Sequence, residues 1–154
     1  MKQQNIFLSF TLFLLLVIFS QTIAAQQLVQ KYNKLLARVE FYNAYGNMIG
    51  YAKVNKLLNR VEYYDSTGNL LKTETHNNLL DRTESRDRYG NQRGYEKNND
   101  VLDRTEGYDS YGNQKYTKKW NDLLSRYEVY DSYGNMIGYY KWNNLLNRWE
   151  FYKQ

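Results

Sequence analysis

Apolar positions follow two rhythms along this chain. From Ile6 to Phe19 they form one run broken only by Ser9 and Thr11, whereas from Gln26 onward they alternate with polar residues in stretches such as Arg148-Trp149-Glu150-Phe151-Tyr152. Alternation with period two marks half-buried strands, and turn residues interrupt it about every nine positions, too often for helices. The Gly-Asn pairs Gly46-Asn47, Gly68-Asn69, Gly90-Asn91, Gly112-Asn113 and Gly134-Asn135 stand 22 residues apart without insertion. Six units result, starting at residues 26, 48, 70, 92, 114 and 136, and each carries Asn-x-(Leu/Val)-Leu-x-Arg-x-Glu, as in Asn121 to Glu128. A strict period near 20 residues denotes a repeat protein in which each unit needs its neighbours to complete a core. The pattern predicts an all-β fold: an antiparallel meander of six tandem β-hairpins, curled into a spiral or barrel-like shell.

Turn chemistry suggests a register. With Asn143-Asn144 as a two-residue turn, Trp142 faces Leu145, Tyr139 faces Arg148 and Gly138 faces Trp149. With Tyr133-Gly134 as the other turn, Tyr130 faces Ile137, Val129 faces Gly138 and Arg126 faces Lys141. Both choices put Tyr127, Val129, Met136, Gly138, Tyr140, Trp142, Leu145, Trp149 and Phe151 on a core face. Arg126, Glu128, Tyr130, Ile137, Tyr139, Lys141, Leu146, Arg148 and Glu150 then fall on a wet face. A type I turn with a Gly bulge over Asp131 to Gly134 is an equally common hairpin that breaks this agreement. The two turns offset the sheet by two residues per hairpin, which makes it curl. Gly50, Gly94 and Gly138 recur mid-strand in alternate units, where backbone relief beneath large neighbours explains them best.

Composition narrows the chemistry. The chain has 154 residues and no Cys, and His76 is its single His, which excludes disulfide frameworks, thiol catalysis and Cys-based zinc sites. The first 25 residues read as a signal peptide: the apolar run is too short to span a bilayer as a helix, and Ala24 and Ala25 supply a small-residue cleavage site near Ala25. A secreted, periplasmic or cell-surface protein with no stable membrane span after removal of the leader is expected, with residues 26–154 as the repeat domain. The net charge of +5 is spread among interleaved acids and bases, which argues against nucleic acid as a partner.

The Arg and Glu columns, including Arg60, Glu62, Arg104, Glu106, Arg126 and Glu128, occur in every unit. Repetition on that scale suits a cross-strand charge ladder, with exposed pairs contributing about 0.2–1 kcal/mol each, rather than a catalytic centre. Gly68, Gly112 and Gly134 are assigned to turns. Asp-Ser-x-Gly-Asn turns bond their own backbone more often than calcium, and no metal or cofactor is expected. Tyr51, Tyr64, Tyr95, Tyr108, Tyr130 and Tyr139 fall on the wet face and are the candidate binding residues, since tyrosine offers a flat ring with a polar handle. The apolar stripe fades in the middle units, where Thr83, Ser85, Thr105 and Gly107 replace larger residues: a weak core region or an opening.

The string Arg-x-Glu-x-Tyr-Asp-Ser-x-Gly-Asn, seen as Arg60 to Asn69 with Thr at one position, Arg104 to Asn113 and Arg126 to Asn135, resembles the YD repeat of RHS-type proteins. Tyr42-Asn43, Arg86-Asp87 and Tyr152-Lys153 depart from it. The resemblance implies β-strips that wind into shells, and relatives that bind carbohydrate or contact cells. A weaker similarity is to bacterial variants of the MORN repeat. Together these features imply an exported, non-enzymatic β-repeat protein that binds glycan or a cell-surface protein through exposed Tyr and charged residues. The alternative is a structural, self-associating shell or scaffold module without a small-molecule ligand.

Overall fold

The computed structural model describes residues 28–154; the leader and its cleavage near Ala25 lie outside the described residues. Twelve strands follow one another: β1 (Leu28–Asn33), β2 (Arg38–Tyr42), β3 (Met48–Asn55), β4 (Arg60–Asp65), β5 (Leu70–Asn77), β6 (Arg82–Asp87), β7 (Gln92–Asn99), β8 (Arg104–Asp109), β9 (Gln114–Asn121), β10 (Arg126–Asp131), β11 (Met136–Asn143) and β12 (Arg148–Lys153). Each pairs antiparallel with its neighbours in sequence, and β1 pairs with β12 through Leu28↔Phe151, Val29↔Glu150 and Gln30↔Trp149, so the meander closes into a barrel. Closure removes the free edges that an open sheet would expose to aggregation. An offset of two residues per hairpin is present, but in the opposite sense to the sequence expectation: Val129 leads through Gly138 to Lys153, two residues beyond Phe151, rather than to Trp149. It provides the stagger that lets tilted strands meet.

The Asn-Asn turn differs from the sequence expectation. Asn143 pairs with Arg148 and Trp142 with Trp149, so four residues, Asn144 to Asn147, make the bend, and Tyr139 faces Tyr152 rather than Arg148. The first Asn acts as an anchor instead of supplying the positive φ: Asn143 Oδ1 accepts the Leu146 N–H at 3.0 Å, as Asn33 accepts that of Leu36. The left-handed residue comes last in the turn, at Ala37, Asn59, Asp81, Asp103, Ser125 and Asn147. The shift is even, so the strand residues keep their faces while Leu145 and Leu146 leave both faces for the turn.

At the Gly-Asn end the bulged type I turn forms. Gly134 donates its N–H to the Asp131 carbonyl and takes a φ of 87°, as Gly68 and Gly112 do with φ of 92° and 86°. Glycine suits that conformation. Arg126 still faces Lys141 and Val129 still faces Gly138, because a second bulge at Ile137 restores the register lost at the turn; Tyr130 therefore faces Met136 instead of Ile137. The same slip leaves Ile49, Leu71, Arg93 and Lys115 outside the ladder. A bulge re-aims a side chain: Ile137, assigned to the wet face by alternation, packs against one inner cluster, and Ile49 packs against the other.

Two apolar clusters fill part of the interior. Phe41, Ala52 and Tyr63 form one, and Tyr116, Val129, Tyr140 and Phe151 the other; Leu28 at the seam between β1 and β12 touches both. The mid-strand glycines admit the adjacent strand: a Cβ on Gly50 or Gly94 would collide with the carbonyl oxygen of Tyr64 or Tyr108. Their cross-strand partners are Phe41 and Asp65 for Gly50, and Ser85 and Asp109 for Gly94.

Candidate functional site

The outer wall carries a six-fold hydrogen-bonded ladder. In its most regular form Glu62 accepts from Asn55 Nδ2 at 2.9 Å and from Arg60 Nε at 2.9 Å on one oxygen, and from the Tyr64 hydroxyl at 2.7 Å on the other. Arg104, Glu106 and Tyr108 repeat the arrangement, as do Arg126, Glu128 and Tyr130. The third unit places Arg86 where the others have Tyr, and Arg86 reaches Glu84 and the Gly90 carbonyl. These carboxylates are nearly buried beneath Tyr and Arg. Burial pushes the Glu62 carboxyl up, but the hydrogen bonds from Tyr64, Arg60 and Asn55 outweigh it and hold the group below its ordinary value. The bond to Glu62 in turn raises the Tyr64 hydroxyl to about 12, and Glu106 does the same to Tyr108.

The candidate binding tyrosines take part in this framework. Tyr51 lies between Arg38, 4.3 Å from its ring on the β2 side, and Tyr64, stacked at 5.0 Å on the β4 side. Tyr95 lies between Arg82 and Tyr108, and Tyr139 between Arg126 and Tyr152, with the same spacings to within a few tenths of an ångström. Both faces of Tyr51, Tyr95 and Tyr139 are therefore covered, and the hydroxyls of Tyr64, Tyr108 and Tyr130 are committed to glutamates. What remains for a partner on this wall is one ring face each of Tyr64 and Tyr108 and the ring of Tyr130, all with the hydroxyl already bound.

The interior differs from an all-apolar core in the sector from β5 to β9. Lys72 Nζ lies 2.6 Å from Glu74 Oε1 and 4.0 Å from the Tyr63 ring, while the Tyr63 hydroxyl donates to Glu74 Oε2 at 2.6 Å. Two strands along, Glu96 on β7 accepts from the Tyr116 hydroxyl, and Lys118 is buried beside it. Burial pushes Glu96 above the ordinary carboxylate value, against the pull of Lys118, and pushes Lys72 below its ordinary value, against the pull of Glu74. These residues were legible in phase: steps of 22 from Gly138 and Tyr140 reach Lys72, Glu74, Glu96 and Lys118 on the core columns.

Small residues in the same sector open a cavity of about 590 Å³ at the Gly-Asn end. Lys72, Ser85, Gly94 and Tyr116 line its inner part, and Tyr89, Arg93 and Lys115 its mouth. The fading apolar stripe is thus an opening. Arg93 and Lys115 are the bulge residues of β7 and β9, which aligns two cations with the entrance. The Ser85 hydroxyl is fully buried and has no hydrogen-bond partner. Asp87 and Asp109, also at the mouth, are engaged by their own turns: each accepts two backbone N–H groups, and hydrogen bonding from Asn113 leads in lowering Asp109. Asp65 behaves alike and is lowered to about 2 by Asn69 and Thr67. His76 lies 3.5 Å from Thr83 Oγ1 and 3.7 Å from Asp81, exposed at a strand end. Among the described residues no group of His, Asp and Glu is arranged to hold a metal ion.

No family model matches the chain, and no curated protein matches its sequence. The crystal structure of a protein from Arabidopsis thaliana is similar in fold, with a TM-score of 0.62 at 12% identity over 84% of this chain and 80% of that one. At that identity the likeness concerns the architecture of the chain alone.

Proposed function

We propose that the chain is an exported, non-enzymatic binding barrel, an RHS/YD-like repeat protein, whose mouth cavity takes an acidic saccharide. The observation that carries this reading is the cavity itself: two bulge-aimed cations at the entrance, aromatic rings of Tyr89 and Tyr116 on its wall, and an unpartnered Ser85 hydroxyl within. Paired cations suit a carboxylate or sulfate, flat rings suit the apolar face of a sugar, and a buried hydroxyl without a partner gains a hydrogen bond when a ligand arrives. The cavity is favoured over the outer tyrosines because Tyr51, Tyr95 and Tyr139 have both faces covered and the hydroxyls of Tyr64, Tyr108 and Tyr130 are bound to glutamates. A binding role is favoured over hydrolysis because Asp87 and Asp109 are both held ionised by their turns, whereas a glycosidase needs one carboxyl kept protonated. The shell-strip alternative finds less support, since closure leaves no edge strand to extend.

Isothermal titration against uronic-acid and neutral oligosaccharides tests the reading. The acidic set should bind, and Arg93→Gln/Lys115→Gln should weaken it by about tenfold or more, because each loses a charge-assisted hydrogen bond. Equal binding of neutral sugars, or no change in the double variant, would overturn it.

A further inference from the structure

The end of the barrel opposite the cavity carries an apolar crown. The six four-residue turns each raise one residue at the tip, Leu35, Leu57, Leu79, Val101, Leu123 and Leu145, between 91% and 94% exposed. A second Leu follows each, about half exposed. None of this apolar surface is needed for the fold, since the neighbouring Asn side chains hold the turns. Twelve exposed aliphatic side chains at one end exceed the scatter expected on a soluble surface.

A belt of cations runs below the crown. Lys31, Lys53, Lys97, Lys119 and Lys141 are exposed on the outer wall two residues before the Asn that anchors each turn, about 7 Å along the strand. Each faces a ladder Glu that is already paired with Arg, and among the described residues none of the five forms an ion pair. The crown is also uneven in charge. The turns after β5, β7 and β9 contain Asp81, Asp100, Asp103 and Asp122, while those after β11, β1 and β3 contain no carboxylate and include Lys34 and Lys56. Closure of β12 on β1 makes the latter three contiguous. One arc thus combines Leu145, Leu35 and Leu57 with Lys141, Lys31, Lys34, Lys53 and Lys56.

We propose that this arc docks the barrel onto an anionic phospholipid surface, leucine tips entering the headgroup–acyl boundary and lysines meeting the phosphates. Apolar insertion and attraction of basic residues to anionic lipid reinforce one another. A lipid fits better than a second copy of the chain: two crowns face to face would oppose the turn lysines Lys34 and Lys56 of both copies. Separate tips divided by polar residues also suit a fluid surface better than a close-packed protein interface. The wall cannot enter the membrane, because its Arg, Glu and Lys would face hydrocarbon. Docking is therefore end-on and tilted towards the acid-free arc. The described chain begins and ends at the opposite end of the barrel, with the cavity, so the crown operates independently of it.

The test is co-sedimentation of the full chain with vesicles of phosphatidylcholine alone or mixed with phosphatidylglycerol. Binding should favour the anionic vesicles. Leu35→Ser/Leu57→Ser/Leu145→Ser should lower it by about tenfold or more, whereas Leu79→Ser/Val101→Ser/Leu123→Ser should stay within about twofold of the parent. All six positions are solvent-exposed turn tips, and circular dichroism verifies that both variants fold. Equal affinity for both vesicle types, equal loss in both variants or no loss in the first would overturn the proposal. So would a concentration-dependent dimer that the first variant dissolves while vesicle binding persists.

Discussion

Lys72→Met is the most informative single perturbation of the interior. In the parent, Lys72 Nζ is 2.6 Å from Glu74 Oε1, the Tyr63 hydroxyl is 2.6 Å from Oε2, and both charged residues are 3% exposed. Met keeps the aliphatic stem and removes the cation, leaving Glu74 with one neutral hydrogen bond. Orphaning one member of a buried ion pair costs about 3–5 kcal/mol. A domain of this size has about 5–15 kcal/mol in total, so the melting temperature should fall by about 10 °C. Tyr63→Phe/Lys72→Met/Glu74→Met removes the whole triad and orphans nothing; it should lie within about 1 kcal/mol of the parent or above it. Urea unfolding at pH 7, followed by the fluorescence of Trp120, Trp142 and Trp149, measures all three proteins. A loss below about 1 kcal/mol in the single variant, or a triple variant as unstable as the single, would refute the compensation.

Two further outcomes follow from the outer ladder. Glu128→Ala leaves Asn121, Arg126 and Tyr130 without their shared acceptor and should cost about 2 kcal/mol in urea unfolding, since hydrogen bonds to charged groups outweigh ordinary surface ion pairs; a loss under about 0.5 kcal/mol would return the ladder to the status of surface decoration. In an ultraviolet absorbance titration, Tyr64 and Tyr108 should ionise near 12. Because their folded values exceed the unfolded 10, their contribution to stability is complete below pH 10 and is lost between about 10 and 12, a decline that Tyr64→Phe/Tyr108→Phe should lessen.

Much of the architecture is readable in the sequence because of parity. An error of two residues in a strand's position moves no side chain to the other face, so Val129, Tyr140 and Phe151 inside and Glu128 and Tyr139 outside follow from alternation despite a mistaken Asn-Asn turn. Asn misled because it tolerates positive φ and also caps turns with its side chain, and the second use prevails here. Leu145 and Leu146 were misplaced for the same reason. Closure is hidden because it depends on an offset accumulated over six hairpins, which no local pattern displays. The opening beside Ser85 and Gly94 is marked by small residues, but its cations are not: Arg93 and Lys115 stand at its mouth only because a bulge interrupts the alternation. The ladder glutamates were legible as partners of arginine. Their burial under Tyr64, Tyr108 and Tyr130 depends on ring packing across strands.

The sandwich of Arg38, Tyr51 and Tyr64 recurs in every second unit, since Val29, Thr73 and Thr117 occupy the alternate positions. The gene therefore has a natural quantum of 44 codons rather than 22. Unequal crossing-over that inserts or excises a single unit sets two like halves side by side and changes the circumference at which the first strand must meet the last. An exchange in multiples of 44 codons keeps the alternation and leaves only the girth to be accommodated. Tandem genes that grow by duplication are expected to drift freely in copy number, and a closed ring with a two-unit rhythm penalises that drift by its own geometry.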